Sequence, residues 1–308
     1  MTRPFRFGIQ SRTLGPRDDW LESLRWIEGA GYSTYVLMDH FVRGLDPLAT
    51  LGAAAVATSA LRLGTMVLAN DFRHPVVLAK ALTTVDVLSE GRLEIGIGAG
   101  WLREEYVQAG IPFDPVGVRI GRMVEAVHLM KRAFAEERMT FEGEHYRTEA
   151  LALVPRSMQR PHPPFVIGGG GRRILSVAGR EANTVNITTR ALPDGTKDVA
   201  DMTPERIDAK IGWVRDAAGE RFADIELAAM VSDVIVTDDR MGEAERLAGS
   251  LGVTAEDVLA SPHMLVGSHE QMVEDLQRHR ERYGISYYTF LEGERQNMAP
   301  VVARLAGT

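Results

Sequence analysis

The chain has 308 residues, of which 45% are hydrophobic and 25% charged, enough to bury a large core without cross-links. It contains no cysteine, which excludes disulfides, thiolate metal sites and cysteine nucleophiles and fits a reducing, cytoplasmic setting. A net charge of −7 argues against a nucleic-acid partner, and no window approaches the ~18 apolar residues of a membrane span.

One rhythm runs along the chain: a short β-branched or aromatic run, a polar turn, then an amphipathic stretch. The opening MTRPFRFGIQ carries no apolar run behind its charges, so no signal peptide is expected. Phe5 to Gln10 predicts a first strand. Asp18 to Ala30 predicts a helix with Leu21, Leu24 and Ile27 on one side and Gly31 as its stop. Thr34 to Met38 is a second strand, and Asp46-Pro47 opens the next helix with a cap and a first-turn proline. Leu61 to Ala69 is a third strand. His74-Pro75 caps and opens a helix that ends near Glu90-Gly91, and Leu93 to Ile97 is a fourth strand.

Helical patterns follow at about 103–109 and 118–137. Residues 139–164 have no clear period and hold Pro155, Pro161, Pro163 and Pro164; they read as an insertion, an active-site lid or flank. Phe165 to Ile167 is strand five, followed by a helix to Ala182. Val185 to Ile187 is strand six, followed by a helix from Thr203-Pro204 to Ala218. Ile225 to Val236 contains strand seven, and its helix begins near Asp239 and breaks around Gly252. Ser268-His269-Glu270-Gln271 matches a capping box, Ile285 to Leu291 is strand eight, and Met298 to Leu305 closes the chain as a helix. Eight strand-then-helix units predict a (β/α)8 TIM barrel, a single domain over 1–308 with an insertion between strands four and five.

Two glycine clusters punctuate this order. Gly96-Ile97-Gly98-Ala99-Gly100-Trp101 begins like a dinucleotide fingerprint, but the third glycine position is Trp101 and no acidic strand end follows. At the carboxyl end of a barrel strand the same glycines are expected to clear side chains so that a flat ring lies against backbone, with Trp101 at the rim. Gly168-Gly169-Gly170-Gly171 leads into a helix that starts with Arg172 and Arg173. Exposed amides, helix polarity and two arginines make an anion seat for a phosphate. An NADP site using Thr188-Thr189-Arg190 competes weakly, since Arg173 stands where the third fingerprint glycine belongs.

Asp39-His40 closes strand two, where a histidine faces the barrel mouth and can exchange a proton with a ligand. A packed, hydrogen-bonded histidine is the other reading of His40. Tyr106 and Glu292 are candidate substrate contacts, or else surface residues, and His74 reads as a helix cap. No histidine or carboxylate cluster has metal-ligand spacing, and no G-x-S-x-G elbow is present, so no metal site is expected. What remains is redox chemistry on an organic cofactor with a small-molecule substrate.

Several segments, in this order, resemble the luciferase-like superfamily of flavin and deazaflavin oxidoreductases. They are Met38-Asp39-His40, Leu61 to Val67, His74-Pro75 with Ala79-Lys80, Leu88 to Leu93, Gly96 to Trp101 with Glu105, and Pro163 to Gly170. The similarity is close over 5–190 and looser beyond. It implies a TIM barrel; a catalytic His40, with Asp39, beside the cofactor ring; and a cis peptide between Met66 and Val67 backing that ring. It also implies that Ala99, Gly100 and Trp101 line the ring, Gly168 to Gly171 hold the phosphate, and the chain forms a homodimer. The pattern is most similar to the branch using coenzyme F420, which transfers hydride at C5. The FMN branch, which activates oxygen with reduced flavin, is the alternative, and a non-catalytic flavin-binding protein is a third reading. The family's sugar-phosphate dehydrogenases carry a tryptophan four residues after the histidine and a glutamate after the glycine triplet. Gly44 and Trp101 stand there in this chain, which points to a flatter, more apolar substrate.

Overall fold

A computed structural model describes residues 3–12, 15–190, 192 and 198–308. In chain order the elements are β1 (Arg6–Ser11), α1 (Arg17–Gly29), β2 (Thr34–Leu37), α2 (Pro47–Ala57), β3 (Arg62–Thr65), β4 (Leu68–Ala69), α3 (Pro75–Leu88) and β5 (Leu93–Gly98). Next come α4 (Arg103–Gln108), α5 (Val116–Ala135), β6 (Met139–Glu142), β7 (Arg147–Leu151), β8 (Phe165–Gly169), α6 (Arg172–Glu181), β9 (Thr184–Ile187) and α7 (Pro204–Ala218). The rest are β10 (Glu226–Met230), β11 (Asp233–Val236), α8 (Arg240–Leu251), α9 (Ala255–Ala260), β12 (Met264–Gly267), α10 (His269–Tyr283), β13 (Ile285–Leu291) and α11 (Arg295–Leu305). The parallel strands make the expected (β/α)8 barrel, with β3 and β4 as two parts of its third strand. Within this fold the chain packs as two compact units. One comprises Met1–Gln10, Trp26–Thr34 and Gly168–Thr308, and the other Ser11–Arg25 and Tyr35–Ile167.

In the first unit β1 pairs in parallel with β13, placing Phe7 opposite Tyr288 and Ile9 opposite Phe290. β13 pairs with β10, and β10 with β9. Side chains alternate across each strand, so Phe5, Phe7 and Phe290 fall in one row and stack at 5.9 and 6.0 Å. Phe7, Ile9, Tyr288 and Phe290 are wholly buried, and the apolar Phe7, Ile9 and Phe290 each contribute about 1.5–3 kcal/mol of hydrophobic stabilisation. The capping box at Ser268 and Gln271 opens α10 as read from sequence, and Gly284, at φ 74°, ends it.

The stretch read as one seventh strand is two. Val231 N still donates to Thr289 O, at 2.9 Å, but Ser232 N turns to His263 O, at 2.8 Å. After that switch β11 pairs with β12 in a small sheet of its own. The sequence reading gives no strand at 264–267, because four apolar residues between helices carry no period that identifies them.

In the second unit the third barrel strand breaks at a cis Met66–Val67 peptide, and Met66 N donates to Leu37 O at 2.7 Å. β3 and β4 both pair with β5, which pairs with β8. The insertion holds an antiparallel hairpin, β6 with β7. It is a strut rather than a lid. Glu125 on α5 accepts the amides of Glu144, His145 and Tyr146 at 3.0, 3.0 and 2.6 Å. Tyr146 meets Asn70 Nδ2, just past β4, at 3.3 Å. The descending half binds at the opposite strand ends: Asp86 accepts from Ser157 Oγ at 2.6 Å, and Gln159 Nε2 donates to Leu93 O, the first residue of β5, at 2.8 Å. Only the Tyr146 tip therefore flanks the carboxyl ends of the strands. No helix among the described residues is long and apolar enough to cross a membrane.

Candidate active site

The second unit gathers most of the predicted ring-site residues. Asp39, two residues past the end of β2, is 6% exposed. Its Oδ2 accepts Ala69 N at 3.0 Å and Arg73 Nη1 at 2.6 Å, while Oδ1 accepts Arg73 Nη2 at 3.1 Å. Arg73 also reaches Asp46 Oδ2 at 2.9 Å. Burial alone would lower the Arg73 guanidinium; the two carboxylates outweigh it and hold the group above its ordinary value. Asp39 therefore fastens the segment bearing His40 to the end of β4 and is structural in its contacts.

His40 does not stand alone. Its Nδ1 lies 2.7 Å from Glu105 Oε2 on α4, and Glu105 is 2% exposed. An ionised carboxylate can only accept, so Nδ1 donates to Glu105 and Nε2 is the ring nitrogen left outside this pair. Glu105 Oε1 accepts no hydrogen bond. Trp101 and the His40 imidazole meet in a T-shaped contact, centroids 6.1 Å apart, and Trp101 is 42% exposed. Glu105 belongs to the family pattern, but no local pattern in the sequence ties it to His40, 65 residues away.

The glycines of β5 also lie tight against the third barrel strand. A Cβ on Gly96 would fall 1.7 Å from Thr65 O, and one on Gly98 would fall 2.7 Å from Val67 Cγ2. They make room for the backbone and side chain around the cis peptide. Gly100, at φ 72°, faces the Tyr106 hydroxyl at 1.8 Å from its would-be Cβ. Tyr106 is 1% exposed, wedged between Phe72 and Phe113 at 5.2 and 4.9 Å, and donates to Asp71 Oδ2 at 3.2 Å. Burial, then the Asp71 charge, pushes its phenol up. The expectation that Tyr106 meets substrate is corrected: it supports the 99–101 turn from behind. Arg119 holds that turn through Ala99 O at 2.9 Å and through Gly100 O, and Arg122 clamps Asp71 at 2.8 and 2.9 Å.

The first unit holds Gly168 to Gly171. Gly168 packs on Asn186, Gly169 on Ile174 and Gly170 on Arg190 N. Only Gly171, the residue before α6, has nothing within 4 Å of a would-be Cβ. Its open side adjoins the start of α6, with Arg172 and Arg173, where the sequence reading places a phosphate. Asn186, 4% exposed beside Gly168, has an Oδ1 without a hydrogen-bond partner. Arg190 is engaged by Asp198 at 2.6 Å. A cavity of about 150 Å3 opens near Thr189, Met202, Met230 and His263. Glu292 lies in this unit, half-buried in a short 3-10 turn. No cluster of three or more potential metal ligands occurs among the described residues.

Comparison with known proteins gives the family of the chain. The sequence profile of the luciferase-like monooxygenases matches residues 2–306. An F420-dependent glucose-6-phosphate dehydrogenase from Intrasporangium calvum is 36% identical over 180 residues, 55% of this chain and 53% of that protein. One from Segniliparus rotundus is 30% identical over 240 residues, 74% of this chain and 70% of that protein. The match with the first spans about half of its length. The F420-dependent tetrahydromethanopterin reductase of Methanopyrus kandleri superposes with a TM-score of 0.76 over 98% of both chains at 19% identity, which speaks to the fold alone.

Proposed function

This chain belongs to the luciferase-like monooxygenase family, and from that premise we propose that it is an F420-dependent oxidoreductase moving a hydride between the deazaflavin C5 and a small organic substrate. The observation that carries this is the His40–Glu105 pair, a buried carboxylate that engages Nδ1 and leaves Nε2 for the reacting group. The relatives named above favour F420 over FMN, since both are F420-dependent dehydrogenases by name. Gly44 and Trp101 argue for a substrate flatter and less polar than their sugar phosphate.

Bound F420 would supply the hydride donor or acceptor. The chain's own residues do the rest. Gly168 to Gly171 and the α6 amides hold the phosphate. Asp39, through Ala69 and Arg73, fixes the backbone that carries His40. His40 Nε2 takes the proton released by the reacting group, or returns it in the opposite direction, and Glu105 offsets the imidazolium charge. Trp101 shields the imidazole from water.

The test is His40→Ala, assayed for F420 binding and turnover. The variant should bind F420 like the parent while turnover falls about a hundredfold or more, the usual worth of general acid–base catalysis. Undiminished turnover would remove the role given to His40.

A further inference from the structure

Lys210 on α7 is 0% exposed, in a chain where lysine is scarce. Its Nζ donates to Thr188 O and Asp201 O, each at 2.8 Å, and pairs with Asp201 Oδ2 at 2.6 Å. Three protons meet three acceptors, so the ammonium is saturated. Asp201 lies in the 3-10 turn Val199–Met202, and its Oδ2 also accepts Arg190 N at 2.7 Å. One buried cation thus ties the exit of β9 to that turn. Burial disfavours the lysine charge and the Asp201 carboxylate opposes that effect. A buried ion pair adds little net stability over an apolar replacement, but it fixes geometry when every proton is used.

The geometry it fixes borders the glycine turn. Thr188 N donates to Gly169 O at 3.1 Å. A Cβ on Gly170 would sit 2.4 Å from Arg190 N, so the 188–190 backbone is in direct contact with the turn. Both residues that position this wall, Thr188 and Arg190, are held through Lys210 or its partner Asp201.

We propose that Lys210 is a positioning residue for the anion seat: through Thr188 and Asp201 it presses the 188–190 backbone against Gly169 and Gly170, so that the amides at the start of α6 converge on a phosphate. This rests on the reading that Gly168 to Gly171 receive the cofactor phosphate. Lys210 itself touches no ligand.

The experiment compares cofactors with and without the phosphate: F420 against its phosphate-free deazaflavin chromophore, and FMN against riboflavin. Dissociation constants are measured for the parent chain, Lys210→Met and Asp201→Asn, with near-ultraviolet circular dichroism to check folding. Each variant should weaken the phosphate-bearing member of a pair by about tenfold or more and leave the phosphate-free member unchanged. Equal weakening of both members, or no weakening, overturns the proposal. If Lys210→Met does not fold, Asp201→Asn decides in the same way. A parent chain that binds neither F420 nor FMN refutes the functional reading instead. The clamp is then judged from thermal stabilisation by inorganic phosphate, which the parent should show and the variants should lose; equal shifts in all three would reject it.

Discussion

Glu105 gives His40 its direction, and that makes the pair testable at the level of single atoms. Glu105→Gln keeps the hydrogen bond to Nδ1 but removes the countercharge for an imidazolium. Turnover with F420 should fall about ten- to a hundredfold with cofactor affinity unchanged; a proportional loss of affinity would mean that Glu105 shapes the pocket instead. Gly96→Ala tests the other tight contact. Its methyl would be driven into Thr65 O, 1.7 Å away, and backbone cannot yield as a flexible side chain can. A loss of about 1–3 kcal/mol is expected, read as a lower denaturation midpoint at unchanged slope. Sequence alone picked out His40 by its place after a strand and Gly96 by its missing side chain. It did not find Glu105 as the partner or Thr65 as the reason for Gly96, because both contacts join segments about thirty residues or more apart that no local pattern links.

Elements differ in how much they reveal. Helix starts were legible where capping chemistry is local. Asp46 accepts Ala49 N at 2.8 Å, and His74 accepts Val76 N at 3.3 Å, both as read. The insertion was not, since what makes it a strut is Asp86, Glu125 and Leu93 in elements around it. Glu125→Ala should release the hairpin tip, seen as faster amide exchange at residues 144–146, without changing cofactor affinity; a large affinity loss would restore the lid reading. On α10, burial pushes the His279 imidazole down to about 3, with Arg278 and His263 adding to the effect. Below about pH 6.5 the unfolded chain takes up a proton that the folded chain refuses, so stability is intact above that pH and declines as pH falls toward 3. The decline attributable to this residue is on the order of 5 kcal/mol at its limit. Denaturation midpoints measured across this range should fall less steeply in His279→Gln, and an unchanged slope would contradict the assignment.

The whole molecule was legible because eight strand-then-helix units leave few architectures open, and the barrel follows. Its departures are a third strand interrupted at Met66–Val67, whose halves keep β5 as partner, and the side sheet of β11 and β12, where pairing changes partner; neither carries a change in composition. Function at this scale reduces to whether the fold binds a tricyclic redox cofactor by its phosphate, and which one. The direct measurement is titration of the purified chain with F420 and with FMN, followed by cofactor fluorescence. Saturable F420 binding at micromolar concentration, at least about tenfold tighter than FMN, is the expected result; FMN binding tighter than F420, or neither cofactor binding in that range, would contradict it.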